Sequence, residues 1–356
     1  MAKLPYNRIG YVEIGGGGTF DEMIASGFKN VRWERLKGLD LKFDITHPIG
    51  SAESEANISI CGLSFKRIMQ LMSWAGEATA YSRCWMIRVF AGYGETDDDV
   101  DMIFEGVMIN AMPTMPPDVW LNIYARSHYS NRYQYFTADI DTVLGGGKRM
   151  MPVGEALRTL CKLLKASDNI DEDNDIDATV LEDTQVALPE FAREATYHDI
   201  ESAISKICKQ NNMVYVKRIM PDLKTKFQFA PYLYEDGKRP TAIYTISSDN
   251  GMVGIPKMRY DGIEVTSLLS NTEHDLRLDI FSVRSRFSMP GMFGSKNAAE
   301  ENRIGDEGVF ECSYRCISIR YHGHLRGDEW FVTYNGNRFI TVGDKPKPSG
   351  NVTTEM

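Results

Sequence analysis

Basic charge is scarce in this chain of 356 residues: 40 Lys and Arg stand against 49 Asp and Glu, a formal net charge of -9. Affinity for a phosphate backbone comes from clustered Lys and Arg, so the balance argues against a protein that grips nucleic acid. Long apolar runs are missing as well. No window approaches about 18 uninterrupted apolar residues, and Met1 to Gly10 has no basic stretch leading into an apolar core, so a soluble, unexported product without a membrane partner is expected.

Cysteine is sparse. The six (Cys61, Cys84, Cys161, Cys208, Cys312 and Cys316) are scattered through apolar segments, where a free thiol behaves as a small buried hydrophobe. Cys312 and Cys316 have a C-x3-C spacing, but in a strand that puts both on one face with no second ligand pair, so packing explains them better than zinc. Signatures of nucleophilic catalysis, Gly-x-Ser-x-Gly or Cys with His, are also missing.

What the chain does have is enough length for two or three domains, since single cores stop growing near roughly 250 residues. Its hydrophobic fraction of 43% and charged fraction of 25% are ordinary globular values. Three textures follow one another. Residues 1–147 are rich in short β-forming runs (8–14, 31–36, 39–46, 56–61, 84–92, 102–111 and 119–125), interrupted by helical spacing at 64–76 and by a proline loop at Pro113, Pro116 and Pro117. Gly145-Gly146-Gly147 reads as a hinge.

Residues 148–250 change character. Leu157, Leu160, Leu163 and Leu164 recur on one helical face, and Ile200, Ala203, Ile204, Ile207 and Cys208 on another, followed by strands at 213–219 and 225–229. Residues 251–345 return to β texture (263–269, 279–286, 308–321, 330–335 and 339–341), and 346–356 read as a flexible tail. The expected architecture is mainly β with an α+β insertion: two tube-like β-barrel or sandwich domains flanking a small α+β domain.

Several constellations invite chemistry. Asp171, Asp173, Asp175 and Glu182 occupy the first, third, fifth and twelfth positions of an EF-hand-like loop, which makes them a calcium candidate. Ile176, however, stands where that loop needs glycine, and a solvated acidic loop explains the letters better, so no metal and no cofactor are expected. Gly15 to Gly18 lack the lysine of a phosphate loop and read as a flexible hairpin tip. His322 and His324, with Asp328 nearby, fit a glycine-relaxed hairpin anchored by Trp330. Tyr124, His128, Tyr129, Tyr133, Tyr135 and Phe136, with Arg126 and Arg132, could stack bases or sugars but suit a subunit interface better.

The order of local patterns resembles the baseplate central-hub family of tailed bacteriophages, shared by related contractile injection devices. In the first region these are Ile58 to Gly62, Met86 to Gly94 and Ile103 to Met108; in the second, Gly154 to Ala166 and Asp199 to Val216. In the third they are Asp249 to Pro256, Val265 to Leu269 and the hairpin Tyr321 to Trp330. Ser270-Asn271 stands where the family usually has Asn-Pro, and His324 where it usually has Asp.

The resemblance implies a non-enzymatic structural subunit of a virion tail baseplate, made in the host cytoplasm. It implies a homotrimer contacting the tail tube protein, the spike protein and other baseplate proteins, with DNA only in passage through an acidic lumen. Two similar domains per chain would let a threefold ring present a pseudo-sixfold face to the tube. The competing reading is a lytic or sugar-binding component built on the histidine hairpin or the aromatic cluster.

Overall fold

The computed structural model describes residues 7–19, 22, 31–48, 54–80, 83–127, 135–136, 150–165, 184–187, 195–219, 225–231, 244–259, 262–269, 280–285 and 310–338. The first region runs β1 (Arg8–Thr19), β2 (Glu34–Leu36), β3 (Asp40–Pro48), β4 (Glu55–Cys61), α1 (Phe65–Ala80), β5 (Arg83–Tyr93), β6 (Asp101–Pro113) and β7 (Trp120–Arg126). The middle of the chain contributes β8 (Tyr135–Phe136), β9 (Met150–Pro152), α2 (Val153–Lys165), β10 (Gln185–Ala187), β11 (Ala195–Thr196), α3 (Tyr197–Gln210), β12 (Met213–Ile219) and β13 (Thr225–Pro231). The last part holds β14 (Tyr244–Ser247), β15 (Met252–Met258), β16 (Gly262–Leu268), β17 (Ile280–Ser285), β18 (Phe310–His324) and β19 (Trp330–Arg338).

Strict alternation builds the sheet. In β3 Leu41, Phe43 and Ile45 are buried, in β4 Ala56, Ile58 and Ile60, and in β7 Leu121, Ile123 and Ala125, so each strand turns one apolar face inward. Helix α1 adds Ile68, Leu71 and Ala75 to the same core, at the spacing that lines one helical face. The α+β segment has its own core, in which Leu157, Leu160 and Cys161 of α2 meet Ile200 and Ile204 of α3 and Phe227 and Phe229 of β13.

The barrel expectation is overturned. The outer regions join in one 13-stranded sheet ordered β15-β16-β19-β18-β3-β4-β7-β6-β5-β1-β2, with β17 also on β18 and β14 on β17, and this path does not close. The fold is therefore mainly β with an α+β insertion, and the described strands form no closed barrel. Closure needs two compatible terminal strands. At one end β2 is three residues long; at the other β15 carries Gly254 at a φ of 74°, Pro256 and a register shift between Val253 and Lys257. Short length, proline and bulges are devices that keep an edge from pairing.

The union of the outer regions depends on the length of β18. Residues 310–315 pair with β17, while residues 318–324 pair with residues 42–48 of β3, and an irregularity opposite β19 between Cys316 and Ser318 marks the exchange. Trp330 seals the seam. It is fully buried, its ring meets Phe43 edge-on at 5.2 Å, and its indole N–H donates to the Gly92 carbonyl at 3.3 Å. Gly10 leaves room for it, since a Cβ there would approach the indole to 3.0 Å. On the outer face, Arg320 of β18 donates twice to Asp44 of β3, at 2.7 and 2.5 Å.

Trp330→Ala should cost about 3–5 kcal/mol, the usual range for emptying an aromatic core site. The denaturant midpoint measures it, and an unchanged midpoint would refute the seam's importance. The second prediction concerns acid. Hydrogen bonds from Arg320 hold the Asp44 carboxyl below its ordinary value of 3.8. A depressed carboxylate stabilises the fold above its unfolded value, and this is lost as pH falls through the folded value. Because both side chains are partly exposed, solvent screening limits the coupling to about 0.5–1 kcal/mol. Arg320→Gln should lower the melting temperature at pH 7, and the difference from wild type should shrink as pH falls below 3.8.

Candidate assembly surfaces

The histidine hairpin is a joint. Each imidazole has its own carboxylate: His322 Nε2 lies 3.3 Å from Glu329, and His324 Nε2 lies 3.2 Å from Asp40 on β3. His324 also meets the Trp120 ring edge-on at 6.0 Å, and His322 meets Phe331 at 6.2 Å. The Arg8 guanidinium donates to the carbonyls of Gly327 and Asp328 across the turn. These contacts tie the hairpin to β1 and β3. Among the described residues, no three His, Cys, Asp or Glu gather as a metal site.

A row of alternating charge crosses the other end of the sheet. Arg35 on β2 is opposite Glu13 on β1, Glu13 is opposite Arg88 on β5, and Arg88 is opposite Glu105 on β6. Arg35 meets Glu13 at 2.9 Å, and Arg88 donates to Glu105 at 2.9 Å. The Trp33 ring lies over the Arg88 guanidinium at 3.7 Å, a geometry in which the ring's negative face attracts the cation. Burial pushes the Glu105 carboxyl up to about 7, outweighing Arg88 beside it. Nearby, hydrogen bonds from Lys37 and Arg35 hold Asp97 below the usual carboxylate range.

Sequence reasoning missed this row. The available signal was four charges, Glu13, Arg35, Arg88 and Glu105, each beside at least one apolar residue, but nothing local says that the four strands are neighbours.

Exposed apolar side chains lie away from the blunted sheet ends as well as on β15. Phe65 (76% exposed) and Met69 stand a helical turn apart on α1, and Met112 and Met115 (87% exposed) flank the proline loop, where Pro116-Pro117 is a cis bond. On β15, Val253, Ile255 and Met258 are exposed. Large apolar groups in water suit contact with another protein surface.

The remaining sequence candidates separate. Tyr124 donates to Glu55 at 2.9 Å and accepts from Arg126 at 2.6 Å, so this part of the aromatic cluster is a polar cross-strand network. His128, Tyr129, Arg132 and Tyr133 lie outside the described residues, and Tyr135 and Phe136 form β8 opposite Ala195 and Thr196. Asp171, Asp173, Asp175 and Glu182 also lie outside them, as does the Gly145–Gly147 hinge.

Gly15 to Gly18 are not a hairpin tip. They lie within β1, where Gly15 and Gly16 pair with Met86 and Trp85 of β5. A Cβ at Gly16 would run into the Cys84 carbonyl, and Gly17 lies under the Trp85 ring, itself stacked on Trp74 at 3.6 Å. Close approach, not a bound anion, accounts for these glycines. Cys316 is buried in the main core, as a packing thiol should be.

No family model matches the chain, and no curated protein matches it. Among solved structures, it is similar to a tail protein from Neisseria meningitidis MC58, with 10% identity and a TM-score of 0.49, covering 94% of this chain and 97% of that one. It is similar to a 43 kDa tail protein of prophage MuSo2 from Shewanella oneidensis, with 8% identity and a TM-score of 0.48, covering 92% and 98%. A third is the E. coli c3393 protein, a type VI secretion component described as similar to T4 bacteriophage tail proteins, at 8% identity and a TM-score of 0.45, covering 85% and 74%.

Proposed function

We propose that this chain is a structural subunit of a phage-type tail baseplate, the central hub that joins the tail tube to the spike. In this reading three copies close around an axis, meet the tube protein on one side and the spike on the other, and leave a bore through which DNA passes. The observation that carries it is the long β18, which unites the first and last regions in one sheet. A single continuous body suits a joint under force, and a ring made of it transmits that force without a hinge between its halves.

Four further observations agree. The histidines of the hairpin have structural partners, His322 pairing with Glu329 within the hairpin and His324 with Asp40 of β3, while Arg8 ties the turn to β1. Exposed Phe65, Met69, Met112 and Met115 supply apolar contact area outside the sheet ends. The net charge of -9 suits a bore that DNA crosses without sticking, because carboxylates repel phosphates. The ordered segments named above, from Ile58 to Trp330, resemble the hub family in the same sequence along the chain.

Light scattering of the purified chain should give three times the 40.3 kDa subunit mass, with threefold rings in electron micrographs, and a larger mass when the tail tube protein is added. A monomer under both conditions defeats the reading. So would hydrolysis of peptidoglycan or polysaccharide that is lost in the His322→Ala, His324→Ala, Asp328→Ala triple variant. Calcium should leave the thermal midpoint unmoved, because a ligand stabilises only the state that binds it and the acidic loop 168–183 is read as solvated. A rise with calcium would instead assign Asp171, Asp173, Asp175 and Glu182 to a site.

A further inference from the structure

The segment before β2 lies flat on the sheet. A Cβ at Gly15 would come within 2.7 Å of Val31 and 3.0 Å of the Trp33 ring, so the missing side chain is what lets residues 31–33 cross β1. Under them is a small apolar cluster of Cys84, Met86 and Val107, with Val31, Trp33 and Ile109 packed against it. Trp33 also covers Arg88, which holds Glu105, and the Glu105 side chain is only 2% exposed. The segment's regular pairing is brief: Leu36, Arg35 and Glu34 opposite Val12, Glu13 and Ile14. Beyond that pairing, partly exposed ion pairs hold it, Arg35 with Glu13 and Asp97 and Glu34 with Arg67 of α1, so the strap over the buried acid rests on little regular pairing and on surface charge.

We propose that residues 31–36 form a proton-operated strap, closed over the Arg88–Glu105 pair while Glu105 is protonated and released as its carboxylate ionises. Release would rehydrate the carboxylate and uncover the outer edge of β1 between Val12 and Ile14. Burial favours the neutral acid, whose carbonyl oxygen still accepts from Arg88, whereas a buried carboxylate loses hydration that one guanidinium does not replace. Every other described charge in this row has a partner. Glu13 on β1 faces Arg88 and bonds Arg35, Arg35 and Lys37 share Asp97, and Arg126 on β7, opposite Val107, is held by Tyr124 and Glu55. On the opposite side of β6, His47 is bonded to the Ile103 carbonyl and to Ser54. Glu105 is therefore the group whose charge changes when the strap opens.

Linkage sets the sign and size. The closed form holds the proton up to about pH 7. The open form releases it near the ordinary carboxylate value, so the opening constant rises by up to about tenfold per pH unit between the two and then levels off. Cys84 reports opening, since its thiol is buried under the strap.

The test compares iodoacetamide labelling of Cys84, located by mass spectrometry, in wild type and Glu105→Gln from pH 5.5 to 8. The ratio of the two rates cancels the thiol's own titration. It should rise at least about tenfold between pH 5.5 and 7.5, because the amide cannot ionise. A ratio that stays constant or falls overturns the proposal. If the variant does not fold, amide exchange in wild type decides. After correction for intrinsic rates, protection of residues 34–36 should fall over this range while that of residues 263–267 in β16 holds. Parallel behaviour of the two segments would overturn the strap.

Discussion

The pairing of β18 with β3 is the constraint on which the rest of the structure depends. Residues separated by most of the chain, His322 and Asp44 for instance, face each other across this ladder, and the core on its inner side is continuous from Val12 to Tyr334. Remove the ladder and the molecule becomes two sheets with separate cores. The backbone groups of residues 42–48 that face β18 would then need another partner, since buried amides and carbonyls left unpaired are costly. Trp330, the Arg320–Asp44 pair and the Arg8 contacts all lie on this seam, so packing, charge and backbone pairing reinforce one another.

From that seam the sheet runs outward to two ends that are made unattractive in different ways. β15 uses Pro256, a bulge and the exposed Lys257, while β2 uses brevity and charge. Blunted ends keep a wide open sheet from polymerising at random. Exposed apolar side chains lie instead on the faces and loops, where Phe65, Met69 and Met115 stand in solvent. For the ring proposed above, this division is useful: edge pairing can propagate without limit, whereas side-chain surfaces fix an angle.

Much of the fold was legible along the chain. The alternation of Leu41, Phe43 and Ile45, the helical spacing of Leu157, Leu160 and Leu163, and the strand at 213–219 are local patterns, and the structure has them as β3, α2 and β12. Trp330 as the anchor of a hairpin was legible too. The glycines at 15–17 were misjudged because only the tertiary neighbours Trp33, Cys84 and Trp85 show that a side chain has no room there. The charged row of Arg35, Glu13, Arg88 and Glu105 was invisible for a related reason, as strand adjacency is not written in any local spacing.

The sequence by itself determined most of the longer elements, the acid balance and the separate texture of the helical insertion, because these follow from side-chain periodicity and composition within short windows. Only the tertiary structure decided that the two outer β regions share one open sheet. The physical reason is that alternation tells each strand which face to bury but not which strand lies beside it. That choice belongs to the long-range match of β18 with β3, and an isolated stretch of residues 310–324 reads the same whichever partner it takes.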